Sequence, residues 1–231
     1  HVYGYPCDVE KIGAIAARYN LKVIYDGAHA FGCMYKGKSL LNYGDVSTCS
    51  FHATKLFHTV EGGCLVTGND GLERVLRLYR QFGHHGDDYF SVGINGKNSE
   101  FHAAMGLCVL PEIGNIIAQR RQLSELYDSL LDFSKLYKPG SDKEIVYNYA
   151  YYPVVFQTEE QLIRARAALL ATDVTTRRYF YPSLNQLPYI KEQVSCPVSE
   201  SIAARVLSIP LYAGLDAADA TRIAQTINAS L

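Results

Sequence analysis

The sequence has no tryptophan and only two methionines in 231 residues. It also lacks an excess of charge of either sign: 22 basic against 23 acidic residues give a formal net charge of −1. So balanced a chain casts no long-range field toward phosphate backbones or anionic lipid, which excludes a nucleic-acid binder that works by charge. No apolar run approaches the ~18 residues of a membrane span, and no basic, apolar and small-residue signal opens the chain. No C-x-x-C pair occurs among the six cysteines, at 7, 33, 49, 64, 108 and 196. That removes the usual zinc and dithiol spacings. Most of these thiols have apolar neighbours, as in Thr48-Cys49-Ser50-Phe51 and Gly63-Cys64-Leu65-Val66, and are expected to be buried and reduced. These absences together imply a soluble cytoplasmic protein. An initiator methionine is absent too. The chain opens on His1-Val2-Tyr3-Gly4-Tyr5-Pro6, which reads as the end of a strand running into a turn and is expected to mark a fragment.

What is present can build a core. Hydrophobic residues make 48% and charged residues 19%, which excludes general disorder. The eighteen tyrosines suit amphipathic core edges, and some suit a sugar or nucleotide pocket. Asp8 is placed to cap a helix whose apolar face is Val9, Ile12, Ile15, Ala16 and Tyr19. The short apolar strand Leu21–Tyr25 follows at once and stops at Asp26. A helix running directly into an apolar strand points to a parallel sheet covered by helices. Further strands are expected at Asp45–Phe51 and Gly63–Thr67. A helical stripe follows over Leu72, Val75, Leu76, Tyr79 and Phe82, then a loop over 84–98. A long helical stretch begins at Ser99 and is interrupted near Pro111. The second half reads as α+β. Strands are expected at Tyr149–Phe156 and Val174–Tyr181, and helices at Ser199–Leu207 and Asp216–Ser230. A capping-box helix opens at Thr158-Glu159-Glu160-Gln161.

Three features could carry chemistry. Asp26 stands at the carboxyl end of a strand, where open α/β sheets bind ligands, and is followed by Gly27-Ala28-His29-Ala30. It could equally cap the next segment. Lys55, in Ser50-Phe51-His52-Ala53-Thr54-Lys55, is either a solvated surface charge or a desolvated amine able to form a Schiff base. Gly62 and Gly63, after Glu61, allow close backbone approach to a ligand. His84-His85 with Asp87-Asp88 lacks metal-ligand spacing and reads as a loop, so no metal is expected.

Taken in series, Val23-Ile24-Tyr25-Asp26-Gly27-Ala28-His29-Ala30, the Ser50–Lys55 run and Glu61-Gly62-Gly63 resemble the pyridoxal-phosphate-dependent sugar aminotransferases of the DegT/DnrJ/EryC1/StrS family. The segment Gly93-Ile94-Asn95-Gly96-Lys97-Asn98-Ser99-Glu100, with Arg120-Arg121, Thr176-Arg177-Arg178-Tyr179 and Cys196-Pro197-Val198-Ser199-Glu200, extends the likeness along the chain. Two departures stand out: Asn98 replaces a usual methionine, and Ser183-Leu184-Asn185 replaces a Leu-His pair. The family's N-terminal segment is not in this sequence.

The resemblance implies an α/β fold of the aspartate aminotransferase type. The large pyridoxal-phosphate-binding domain, with a mainly parallel sheet, would be represented by residues 1–118. A small C-terminal α+β domain would follow over 119–231. It implies pyridoxal 5'-phosphate as cofactor. Lys55 would hold it covalently, Asp26 would face its ring nitrogen, and His29 its ring and 3-oxygen. Ser50 would meet its phosphate together with Asn95 of a neighbouring subunit, so a homodimer with shared sites is implied. Glu61, Arg178 and Tyr181 would meet substrate. The reaction implied is transamination of a nucleotide-linked keto-deoxy sugar of the dTDP-4-keto-6-deoxyglucose type. It would act at carbon 4 with glutamate as donor, in surface-polysaccharide (O-antigen) or amino-sugar synthesis. A sugar dehydratase of the same family would carry histidine in place of Lys55. The remaining reading is a catalytically incomplete fragment with a binding role.

Overall fold

A computed structural model of the chain describes residues 1–140, 143–192 and 194–231. They form two compact units. One comprises His1–Gly114 and Asp142–Ala150, the other Asn115–Ser141 and Tyr151–Leu231. The sequence places the boundary at 118/119. The chain instead divides at Gly114, in the first turn of a helix, and then returns to the first unit over Asp142–Ala150.

In the first unit, helix α1 (Val9–Tyr19) starts where the Asp8 carboxylate accepts from the Lys11 N–H at 3.0 Å. It stops at Asn20, which takes the left-handed conformation that ends many helices. Strand β1 (Ile24–Asp26) follows and pairs in parallel with β2 (Val46–Ser50), with Ile24 opposite Val46 and Asp26 opposite Thr48. Strand β3 (Gly63–Val66) lies antiparallel on the other edge of β2, with Cys49 opposite Cys64 and Ser50 opposite Gly63. This portion of the sheet therefore has one parallel and one antiparallel pairing. The parallel pairing brings the carboxyl ends of β1 and β2 to one side, and Asp26, Ser50 and the loop holding Lys55 gather there.

Asn69 caps α2 (Asp70–Arg80). Residues 84–98, expected as a plain loop, contain a two-stranded hairpin, His84–His85 with Asp88–Tyr89. A second small sheet joins Met34–Tyr35, Lys38–Ser39 and Ile145–Val146. Helix α3 (Glu100–Val109) is capped by Ser99 and passes through a turn at Leu110–Glu112 into α4 (Ile113–Leu130). By length and composition Glu100–Leu130 is apolar enough to cross a membrane, which corrects the expectation that no stretch approaches a span. Polar residues break it into short apolar runs, while its average stays high enough for a span. The turn splits it into two helices, and Leu123 and Tyr127 of α4 are buried in the second unit.

In the second unit, β5 (Tyr152–Phe156) pairs antiparallel with β4 (Leu136–Tyr137) on one side and β6 (Val206–Ile209) on the other. Helix α5 (Glu159–Leu170) begins at the expected capping box, with Thr158 and Gln161 exchanging side-chain to backbone bonds. Leu162, Ala165 and Leu169 of α5 meet full burial, as do Ile223, Ala224 and Ile227 of α7 (Ala217–Asn228). Helix α6 (Pro197–Arg205) ends two residues short of the expected Leu207. Val206-Leu207-Ser208-Ile209 continues the apolar pattern, but pairing with β5 turns it into a strand, so the helix expected over Ser199–Leu207 is wrong at its end. The strand expected at Val174–Tyr181 is also absent. That segment makes a single bridge, Arg177 to Ser208, despite its β-branched and aromatic residues.

Cys33 and Cys49 are buried, Cys7 and Cys64 half-buried, and Cys108 and Cys196 exposed. Burial of most thiols was expected; it holds for two of the six, because an apolar neighbour in sequence does not guarantee cover on both faces.

Candidate active site

Two turns form the site, one after each parallel strand. After β1 the chain reverses over Gly27–Cys33: the Gly27 N–H donates to the Thr48 carbonyl at 2.9 Å, and the Ala30 N–H to that of Gly27 at 2.8 Å. A Cβ on Gly27 would stand 2.8 Å from the Thr48 carbonyl oxygen, so only glycine allows the turn to close on β2. Asp26, at the strand end, is exposed, and its carboxylate accepts from the Ala28 N–H at 2.9 Å. The carboxylate is thus open on one side, with its second oxygen left to other partners.

His29 is buried, at 8% exposure. Its Nδ1 accepts from the Tyr3 N–H at 2.9 Å, so the ring proton resides on Nε2. Burial, then the charge of Lys55, pushes the imidazole down to about 4, against the opposing pull of Asp26. His29 is therefore a neutral donor at physiological pH. The buried Asn148 donates to the carbonyls of His29 (3.0 Å) and Phe31 (2.8 Å). Tyr147 donates from its hydroxyl to the Tyr3 carbonyl at 3.0 Å.

After β2 the loop folds back on itself. The Phe51 N–H donates to the Gly62 carbonyl and the Thr59 N–H to that of Phe51, both at 2.8 Å. Beneath it Phe57 stacks on Phe31 with centroids 4.6 Å apart and meets Phe51 edge-on. Lys55, in the same loop, is half-buried. Its amine is lowered from the ordinary lysine range by burial, against the attraction of Asp26. Ser50 accepts at its Oγ from the His52 N–H at 3.4 Å, which leaves its own hydroxyl proton to donate. Gly62 lies at φ 148°, and a Cβ there would stand 2.4 Å from Thr59 Oγ1.

Asp26, His29, Ser50 and Lys55 thus gather at the carboxyl ends of β1 and β2, where Asp26 and Lys55 act on the charge of His29. The other expected residues have surroundings of their own. Glu61 is exposed, with Oε1 3.6 Å from His52 Nε2. Asn95 is exposed and bridges to Gln81 at the end of α2. Arg178 and Tyr181 are in the second unit. The Arg178 guanidinium, 12% exposed, donates to Glu159 and to the Ala204 carbonyl, both at 2.7 Å, and lies 3.4 Å over the Tyr181 ring. A cavity of about 480 Å³ beside β2 and β3, lined by Cys64, Thr67, Glu73, Arg77 and Arg80 among others, takes in Gly63 but none of Asp26, His29, Ser50 and Lys55. Among the described residues no group of three or more His, Cys, Asp or Glu could hold a metal. Sequence reading missed Tyr3 and Asn148, because a backbone N–H and a lone asparagine carry no local pattern.

A family model, that of the DegT/DnrJ/EryC1/StrS aminotransferases, matches residues 1–228. The chain belongs to this family. It is 35% identical, over 98% of its length, to a dTDP-4-amino-4,6-dideoxy-D-glucose transaminase of Shigella dysenteriae, of which it covers 64%. It is 30% identical, over 99% of its length, to a GDP-perosamine synthase of Escherichia coli O157:H7, of which it covers 63%. A crystal structure of DesI in the presence of its TDP-sugar product matches 99% of the chain and 60% of that protein, with a TM-score of 0.92 and 31% identity. The chain therefore spans less than two thirds of the relatives it matches. Its fold is the α/β fold of these pyridoxal-phosphate-dependent transferases. The residues at the strand ends fit that cofactor: a carboxylate for a ring nitrogen, a neutral imidazole donor, a half-desolvated amine and a free hydroxyl proton for a phosphate.

Proposed function

We propose that this family member takes part in transfer of an amino group, from glutamate, to carbon 4 of a nucleotide-linked 4-keto-6-deoxy sugar. The observation that carries the reading is the parallel pairing of β1 with β2, which brings Asp26, the turn with His29, Ser50 and the loop with Lys55 to the carboxyl ends of two neighbouring strands. Bound pyridoxal phosphate would supply an electron sink for the carbon that loses a proton. Asp26 would keep the ring nitrogen protonated with its open carboxylate oxygen. His29 would offer its Nε2 proton to the 3-oxygen, and Ser50 its hydroxyl proton to the phosphate. Lys55 would attach the cofactor. When free, its amine, less basic than an exposed lysine, would accept the proton from the amino-bearing carbon of the donor and deliver it to the carbon on the other side of that nitrogen.

The carbon-4 assignment draws support from the 4-amino sugar in the name of the Shigella relative and from the Ser50–Lys55 and Glu61–Gly63 runs. Arg178 and Tyr181 are kept as proposed substrate contacts. A diphosphate reaching Arg178 has to compete with Glu159 for the guanidinium. A homodimer, with Asn95 serving the neighbouring site, is supported by the exposed apolar residues flanking it, Tyr89, Phe90, Val92 and Ile94. The proposed location is the cytoplasm and the proposed setting surface-polysaccharide synthesis. No observation favours the non-enzymatic alternative.

Borohydride reduction of cofactor-loaded protein, followed by peptide mapping, is expected to label Lys55. A label on Lys36, Lys38 or Lys97 instead would overturn the site. Incubation with glutamate and either 4-keto or 3-keto nucleotide sugars is expected to aminate carbon 4. Amination at carbon 3 alone rejects the branch, and amination of neither returns the non-enzymatic reading.

A further inference from the structure

The Asn148 side chain is 1% exposed, yet every polar atom in it is used. Its two N–H donors go to the carbonyls of His29 and Phe31, 119 and 117 residues away in sequence. Its Oδ1 accepts from the Ala150 N–H at 3.0 Å. An asparagine has two donors and one acceptor oxygen, so this carboxamide has no donor left for a ligand. What it grips is the turn that presents His29. The same segment reaches the other partner of His29. The Tyr147 hydroxyl holds the carbonyl of Tyr3, the residue whose N–H meets His29 Nδ1. Gly4 completes the arrangement, since a Cβ there would come within 3.2 Å of Asn148 Oδ1.

We propose that Asn148 is a positioning residue, with Tyr147 beside it: together they hold the 27–31 turn against the Tyr3 N–H, so that the His29 proton stays on Nε2. This rests on the reading that His29 meets the cofactor. Its chemistry is specific. A histidine free to exchange its proton between the two nitrogens offers a donor to the 3-oxygen only part of the time. A histidine whose Nδ1 lone pair is taken offers it always. Of the charged side chains facing the ring, Lys55 opposes its protonation and Asp26 favours it. With Nδ1 engaged, Asp26 alone does not charge the ring near neutrality.

The test uses the cofactor-free chain, so that its failure is distinct from failure of the borohydride label at Lys55. Long-range proton–nitrogen NMR of the imidazoles, with His29 assigned by His29→Gln, is expected to show a neutral ring protonated at Nε2 down to about pH 5. In Asn148→Ala the midpoint is expected to rise by a pH unit or more, with a population protonated at Nδ1. Tyr147→Phe keeps the Asn148 grip and is expected to give a smaller change in the same direction, which keeps the proposal testable if Asn148→Ala fails to fold. Val9→Ala, a buried substitution on α1, serves as the control for general destabilisation and is expected to leave His29 unchanged. Pyridoxal phosphate affinity in Asn148→Ala is expected to fall about tenfold. A wild-type His29 protonated on Nδ1 or charged at neutral pH would overturn the proposal. So would unchanged His29 titration and tautomer in both variants, or an equal shift in Val9→Ala.

Discussion

A buried histidine that refuses its proton leaves a mark on the stability of the whole chain. The folded His29 titrates near 4, against 6.5 when unfolded. Between those values the unfolded chain binds a proton that the folded chain does not, so stability falls as pH drops through 6.5 and levels off below about 4. At roughly 1.4 kcal/mol per unit, denaturant melts at pH 5 are expected to give about 2 kcal/mol less stability than at pH 7.5. His29→Gln is expected to flatten that difference, and an unchanged slope would show that other groups dominate. Lys55 carries the same sign at the alkaline end, since its lowered proton affinity favours the fold as pH rises toward 10.5. At this scale the sequence was informative wherever function depends on local spacing. Asp26 and His29 are three residues apart, and Ser50 and Lys55 five, so strand ends and turns fix them. Tyr3 and Asn148 were illegible because their contacts span 26 and 119 residues.

Elements repeat the lesson in their boundaries. The helix at Thr158 was readable to the residue because a capping box is a local exchange of hydrogen bonds. Thr158→Ala removes that exchange and is expected to cost about 1 kcal/mol, read as a lowered melting temperature. The passage from α6 into β6 was not readable, because pairing across to β5 is what ends the helix. The two-residue strands at Met34–Tyr35 and Ile145–Val146 lay below any periodic signal. The Glu61-Gly62-Gly63 turn lies between these cases: its glycines marked a tight place without saying against what. Gly62→Ala would place a methyl group against Thr59 at φ 148°. It is expected to cost about 1–3 kcal/mol and to loosen the Lys55 loop, seen as faster hydrogen exchange at Phe51 and Thr59. Unaltered exchange there would show that the loop does not depend on this turn.

At the scale of the molecule, α3 and the segment before it expose more apolar surface than solvent favours. Phe101 and Val92 are each 88% exposed, and Leu107 and Ile94 are also open. Isolated apolar residues on a surface are ordinary, but a run of them on adjoining segments marks a surface that something covers. Sedimentation velocity is expected to show concentration-dependent self-association, reduced by Phe101→Glu and Leu107→Glu. A monomer at all concentrations would reject the proposed homodimer. The α/β class was legible because a helix leading straight into an apolar strand has few solutions. The division at Gly114 and the later return of the chain were not, since no change of composition accompanies them.

That return also has a place in time. Proteins leave the ribosome amino end first, at roughly 5–20 residues per second, so Asn148 emerges on the order of 6–24 s after His29. During that interval the newborn chain holds its aspartate and its histidine and, once residue 55 is out, its lysine, but not the side chain that grips the histidine's turn. Much of the second unit's first helix is made in the meantime. On the proposed role of Asn148, competence to receive the cofactor is expected only after residue 148 has emerged, and a nascent chain arrested before it should differ from one released after it.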